Sequence, residues 1–226
     1  MKQNTDHFFR AALRDTVPVM AGYLVLGMGF GIVMKTNGFS FLLPVMMSIF
    51  VFAGSMQFAA VGLLTGGASL LTVALTTLAV NIRHLFYGIS MVEPYKDSGR
   101  KKPYLIFALT DETYSLVCNT KNGTDYCFLV SLLDQFYWVA GTALGALLGS
   151  AIRFNTAGID FALTALFITV FTDQWLNSKD HFSALTGVGA AVLCLLLFGK
   201  SSFLIPSMLV IAAVLLLRMG KEGKHD

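Results

Sequence analysis

Charge is what this sequence has least of: Asp, Glu, Lys and Arg make up 13% of its 226 residues, against about a quarter in ordinary soluble domains. A chain so poor in charge cannot cover a water-facing surface, whereas hydrocarbon penalises each ionised side chain by about 2.5–3.5 kcal/mol. Cysteine is scarce too. Cys118, Cys127 and Cys194 are an odd set in apolar surroundings, so no disulfide framework is expected. Cys118 and Cys127 flank one short polar loop, where a bridge is geometrically conceivable, but small apolar packing is the expected role. The four histidines, His7, His84, His181 and His225, have no metal-ligand spacing, and no HExxH, Walker loop or nucleophile elbow is present. No metal, no cofactor and no enzymatic activity is therefore expected. The net charge of +3 is small and its basic residues lie at the ends of apolar runs, which argues against nucleic acid as a partner. No cleavable signal peptide is expected either, because MKQNTDHFFRAALRD delays the first apolar run. Phe8, Phe9, Ala12 and Leu13 alternate there with Arg10 and Arg14, a pattern open to a short surface helix or to a solvated lead-in.

What the sequence does have is apolar length. Eight runs stand out, at 16–34, 41–64, 69–92, 104–118, 128–150, 159–175, 184–199 and 202–218, and 55% of the chain is hydrophobic. The expected fold class is all-α, a polytopic integral membrane protein of about six to eight transmembrane or re-entrant helices in one domain spanning 1–226. Runs 104–118, 159–175 and 184–199 are near the lower limit for a crossing, so re-entrant or broken segments are expected among them.

The positive charges test that count. Lys2, Arg10 and Arg14 open the chain; Lys96, Arg100, Lys101 and Lys102 occupy the KDSGRKK loop; Arg218, Lys221 and Lys224 close it. Lys and Arg gather on cytoplasmic loops, so all three clusters, and with them both termini, should face the cytoplasm. Three runs separate the first cluster from the second, and five the second from the third. Both numbers are odd, so either one run in each half fails to cross, which is the expectation here, or the KDSGRKK loop lies outside against the rule.

A weak internal echo accompanies this. Asp15 followed by Ala21-Gly22 matches Asp134 followed by Ala140-Gly141 at a lag of 119, and Gly38 and Phe41 recur as Gly158 and Phe161. This suggests repeat halves at 15–102 and 134–218, the plan of many secondary transporters, which place their solute site where the halves meet.

Three features carry candidate chemistry. Gly27 and Gly31, and the series Gly141, Gly145 and Gly149, lie at helical spacing and predict close helix packing, within this chain or against a separate membrane subunit. GMGFG is not a nucleotide fingerprint, since no strand precedes it. The string Ala53-Gly54-Ser55-Met56-Gln57 in mid-run predicts a helix break whose exposed N–H groups can hold a carboxylate. Thr172-Asp173-Gln174-Trp175 is the corresponding candidate further on, open also to reading as an interfacial helix end.

Ionisable groups inside apolar runs are expensive and usually functional. Asp111 and Glu112 are adjacent at the centre of one run, where both cannot ionise comfortably, so one is suited to bind and release a proton. Arg83 and His84 lie within another run, near Asn81 and Tyr87, with Thr77, Asn81 and His84 on one helical face and Arg83 and Tyr87 on another. The Asp111/Glu112 pair is the expected partner of Arg83, and a purely structural ion pair is the alternative role. Asp134-Gln135 is open to a place in the cavity or to a helix cap.

Several strings in order resemble the AzlC family, the larger subunit of bacterial branched-chain amino-acid exporters. They are PVMAGYLVLGMGFG, AGSMQF, NIRHLFYG, TDETY and GTALGALLG with the DF that follows. The resemblance implies export of leucine, isoleucine, valine and close analogues such as methionine across the bacterial inner membrane. It also implies a separately encoded small multispanning partner, AzlD. The expected site then has Gly54, Ser55 and Gln57 on the amino-acid backbone, Met28, Phe30, Met56 and Phe58 on its side chain, and Asn81 as a further substrate-binding residue. Asp111 or Glu112 would carry a coupling proton, with Arg83, His84, Tyr87, Asp134 and Asp173 as coupling or gating residues. A non-transporting scaffold that docks a permease and a small-solute channel are the rival functions.

Overall fold

The computed structural model describes residues 2–118, 120–151, 180–199 and 203–222, with a few positions between 168 and 176. Among these, all regular structure is helical. It comprises α1 (Lys2–Thr36), α2 (Leu42–Phe50), α3 (Gly54–Thr65), α4 (Leu70–Asn81), α5 (Arg83–Ser90), α6 (Lys102–Phe107), α7 (Asp111–Val117), α8 (Gly123–Ala151), α9 (Phe182–Phe198) and α10 (Leu204–Glu222). The chain divides into two compact units, Met1–Thr164 and Ala165–Asp226. Asp173, like the DF pair Asp160-Phe161, falls outside the described residues.

Length decides which helices of the first unit can cross a bilayer. At 1.5 Å per residue, the 29-residue apolar stretch Phe8–Thr36 and the 28 residues Gly123–Ser150 are each over about 40 Å long, more than the roughly 30 Å hydrocarbon core. The N-terminal residues are no separate surface helix, for α1 is continuous from Lys2. The pair α4–α5, bent by 49° at Ile82, has just enough residues to cross. The others do not. With 9 and 12 residues, α2 and α3 each reach about half the hydrocarbon depth, and α6 and α7, with 6 and 7, reach about a third.

Three apolar clusters stacked along α1 show where these short helices lie. The one nearest the start of α1 holds Ala12 with Met91, Tyr95, Leu105, Val117, Tyr126 and Val130. The middle one holds Tyr23, Phe52, Ala108, Tyr137 and Trp138. The far one holds Phe30, Val33, Met34 and Val61, with Leu43 and Met47 against it. Helix α8 climbs the same ladder in the same direction, so α1 and α8 are parallel. Helix α2 descends from the far cluster to the middle at Phe52, and α3 returns to the far cluster at Val61. Helix α6 lies where the near and middle clusters meet, with Leu105 and Leu109 in the near one and Tyr104 and Ala108 against the middle one, and α7 ends in the near cluster at Val117. Runs 41–64 and 104–118 are thus hairpins that enter from opposite ends, and the chain between them crosses as α4–α5. Among the described residues, one such hairpin lies on each side of the KDSGRKK loop, and most of run 159–175 lies outside them.

The glycine faces serve α1 and α8 themselves. A Cβ on Gly27 would lie 2.8 Å from the Trp138 carbonyl oxygen, one on Gly141 2.7 Å from that of Leu24, and one on Gly145 would overlap the backbone of Met28. Only hydrogen fits between the two backbones. All three cysteines are free thiols. In the second unit α9 and α10 form an antiparallel hairpin, closed by Arg218 at 2.7 Å from Asp180 and lying over the Phe182 ring.

Candidate functional site

The hairpin tips meet at mid-depth in the middle cluster, where Phe52 packs against Tyr23 and, at 6.3 Å between centroids, Phe107. Each tip unwinds a helix inside an apolar run. At the first tip Phe52 adopts φ +43°, a left-handed conformation that costs a bulky residue of order 1–3 kcal/mol and persists only under firm packing. Gly54 then opens α3, and a Cβ there would come 2.9 Å from the Trp138 ring. No side chain caps this helix start. Its N–H groups and positive dipole end therefore face the tip region. At the second tip Thr110 caps α7, accepting from the Thr113 N–H.

Arg83, just past the bend between α4 and α5, joins the two tips. Its Nη2 donates to Ser55 Oγ at 2.9 Å, and its Nη1 lies 2.9 Å from Asp111 Oδ2. The expected pairing of Arg83 with the Asp111/Glu112 doublet is present and falls to Asp111. About a third of each side chain remains accessible. Even so, Arg83 Nε and Asp111 Oδ1 are buried without partners, and so is Asn81 Oδ1 on the other face of the crossing. At this pair one acceptor and one charge-bearing donor are left open, an arrangement that a ligand with both an ammonium and a carboxylate group completes.

The two faces of the bent crossing separate as the sequence implied. Arg83 and Tyr87 face α7, with Tyr87 stacked on Tyr114 at 4.4 Å. Thr77, Asn81 and His84 instead line a cavity of about 550 Å³ that reaches Phe52 and Ala53 at the first tip and is otherwise walled by residues such as Ile106 and Phe107. His84 Nδ1 lies 3.0 Å from the Asn81 carbonyl. The size and mostly apolar lining fit a small ligand.

Other expected site residues lie elsewhere. Gln57 is fully buried, its amide donating to Ser48 Oγ at 3.0 Å and accepting from Trp138 Nε1 at 2.9 Å. Ser48 in turn bonds Thr142 at 2.8 Å, so the group pins the first hairpin to α8. Phe30 packs in the far cluster against Phe58. Met56 is buried, and Met28 presents its backbone to Gly145. None of Met28, Phe30, Met56 and Phe58 lines the cavity. Asp134 is not an interfacial cap. Helix α8 begins at Gly123, earlier than its apolar run, and this leaves Asp134 fully buried within the helix, accepting from Thr113 Oγ1 at 2.8 Å.

Tyr23, Thr110 and Thr113 join the site with little signal in their own spacing. Tyr23 Oη donates to Glu112 at 2.6 Å and lies 2.7 Å from Thr110 Oγ1. The available signal was Thr-x-x-Thr around the carboxylate pair, a capping pattern inside an apolar run. No group of three or more possible metal ligands occurs among the described residues.

The chain matches the model of the family described as AzlC protein over residues 18–152, which takes in both hairpins and the crossing between them. It is 48% identical over 212 residues to a Bacillus subtilis protein named Branched-chain amino acid transport protein AzlC, covering 92% of this chain and 84% of that one. An uncharacterized membrane protein of Haemophilus influenzae is 43% identical over 94% of this chain and 89% of its own length. Inner membrane protein YgaZ of Escherichia coli is 28% identical over 81% and 78%. No solved structure matches. With the family model across the whole helix-break region and close relatives over nearly the full chain, this protein belongs to the AzlC family of membrane proteins.

Proposed function

We propose that this chain is the main subunit of a secondary transporter that exports branched-chain amino acids with proton coupling. The observation that carries the reading is the pair of unpaired atoms where the hairpin tips meet, Arg83 Nε as donor and Asp111 Oδ1 as acceptor, with Asn81 Oδ1 open on the cavity face of the same crossing. A zwitterion satisfies both kinds at no net charge. Its carboxylate suits Arg83 and the uncapped start of α3 at Gly54 and Ser55. Its ammonium suits Asp111 and Asn81. The aliphatic side chain then extends into the cavity beside Phe52, Ile82, Leu85, Ile106 and Phe107. Such walls favour leucine, isoleucine, valine and methionine over polar side chains, and the Bacillus subtilis relative's name agrees with that choice. Asp111 and Glu112 sit beside this position, where a carboxyl proton can be taken up or released as the solute leaves.

The basic residues Arg10, Arg14, Lys96, Arg100, Lys101 and Lys102 all belong to the near end of the first unit, which makes that end cytoplasmic by the positive-inside rule. A separately encoded small membrane subunit completes the transporter. It does not dock on the glycine faces of α1 and α8, which are already occupied by each other, and this weakens the rival scaffold reading. The test is leucine counterflow in proteoliposomes, with and without that subunit. Saturable exchange competed by isoleucine and valine, but not by glutamate, is expected. Flux that neither saturates nor responds to a preloaded amino acid would replace the transporter with a channel.

A further inference from the structure

Glu112 and Asp134 are joined by an unbroken hydroxyl chain. Tyr23 Oη meets Glu112 Oε2 at 2.6 Å and Thr110 Oγ1 at 2.7 Å; Thr110 Oγ1 meets Thr113 Oγ1 at 3.0 Å; Thr113 Oγ1 meets Asp134 Oδ2 at 2.8 Å. All four links are short enough for strong hydrogen bonds. They hold three hydroxyl protons between two carboxyl groups, so one link lacks a proton unless a carboxyl supplies it.

The surroundings favour supplying it. Arg83 is the cation beside Glu112 and is already engaged by Asp111, itself a second negative charge next to Glu112. The titratable neighbour of Asp134 besides Glu112 and Tyr23 is Tyr104, which is neutral. Two further carboxylates at this depth would have no countercharge. Asp134 also has a buried Oδ1 without a partner. Left as a carbonyl oxygen that atom is tolerable, but as half of a buried anion it is costly. Asp134 has no accessible surface, whereas Glu112 is only partly buried.

We infer that Glu112 and Asp134 share one proton through the relay Tyr23–Thr110–Thr113, with Asp134 as a buried store that exchanges with solvent by way of Glu112. This rests on the transport reading only for its purpose, since it names the path of the coupling proton. In the transfer the Glu112 carboxyl proton passes to Tyr23 Oη, the phenolic proton to Thr110, the Thr110 proton to Thr113 and the Thr113 proton to Asp134 Oδ2. Four O–H bonds break and four form, and one proton has moved from end to end. Glu112 is then free to accept another proton or to answer the charge change when the solute leaves Asp111.

The test is infrared spectroscopy of the full chain in lipid at neutral pH, reading the C=O stretch of protonated carboxyls. In wild type, carbon-13 aspartate and carbon-13 glutamate should each shift part of that band. In Thr113→Val the whole band should follow one label, and Thr113→Ser should restore the wild-type split. A wild-type band that follows one label alone, no protonated-carboxyl band, or an unchanged split in Thr113→Val would each overturn the relay. Transport separates the two readings. With a relay, Thr113→Val keeps leucine counterflow but loses pH-driven leucine flux by tenfold or more. Wild type without counterflow would instead sink the transport reading and leave the spectroscopic result standing.

Discussion

Arg83 and Asp111 hold each other at 2.9 Å with open atoms on both, so removing one leaves the other with an uncompensated charge at mid-depth. The accessibility of the pair moderates the cost to the fold. Asp111→Asn should leave the protein folded while reducing leucine counterflow at least about tenfold, the equivalent of roughly 1.4 kcal/mol of lost solute binding. Counterflow as fast as wild type in that variant would remove Asp111 from the site. Gln57 has the opposite character. Its amide bonds both Ser48 and Trp138 in a fully buried position. Gln57→Leu should therefore destabilise the chain by about 1–3 kcal/mol for each partner left unpaired. The check is thermal unfolding in detergent. A variant of normal stability but defective transport would restore Gln57 to a direct role with the solute.

At the scale of elements, the hairpins are the structural idea of this protein. A segment that enters halfway and turns back exposes backbone polar groups at membrane depth, which is tolerated only where protein or a watery cavity meets them. Here two tips from opposite ends meet each other, Tyr23 and Trp138, and the cavity adjoins the first tip. The arrangement makes a topological prediction. Asn37 and Thr65 flank the first hairpin and are exposed. In a background lacking Cys118, Cys127 and Cys194, Asn37→Cys and Thr65→Cys should both react with an impermeant maleimide from the same side. Labelling from opposite sides would mean that run 41–64 crosses after all. The bend at Ile82 works with the hairpins, turning Arg83 toward the tips while Asn81 and His84 stay on the cavity face.

For the molecule as a whole, the parallel contact of α1 and α8 is the frame on which both hairpins hang. Gly145→Ala would drive a methyl group into the Met28 backbone, which has no flexible end to move aside. The helices must part, at a cost of about 1–3 kcal/mol. Gly62→Ala, with nothing within 4 Å of the new atom, should be near neutral. Equal thermal stability of the two variants would refute the glycine contact. This frame was legible in advance as glycines at helical spacing, and so were the break before Gly54 and the pairing of Arg83 with one of two carboxylates. The path from Glu112 to Asp134 was not legible. Tyr23 and Thr110 are 87 positions apart, and each by itself is an ordinary polar residue in an apolar run.

Hydropathy, charge placement and glycine spacing are local properties, and they suffice to say that this chain is helical and lives in a membrane. That 41–64 and 104–118 each turn back as a hairpin is seen only in the tertiary structure. Run length did not discriminate, because 41–64 is long enough to span a bilayer and yet turns back at Phe52, held by contacts with Tyr23 and Trp138 from distant parts of the chain. The same holds for chemistry. A carboxylate in an apolar run announces a function, but its partners depend on which helices pack beside it, and non-local packing leaves no periodic trace in sequence. Only the folded chain distinguishes Gln57, whose amide bonds both Ser48 and Trp138, from Arg83 and Asp111, each of which keeps a buried atom without a partner.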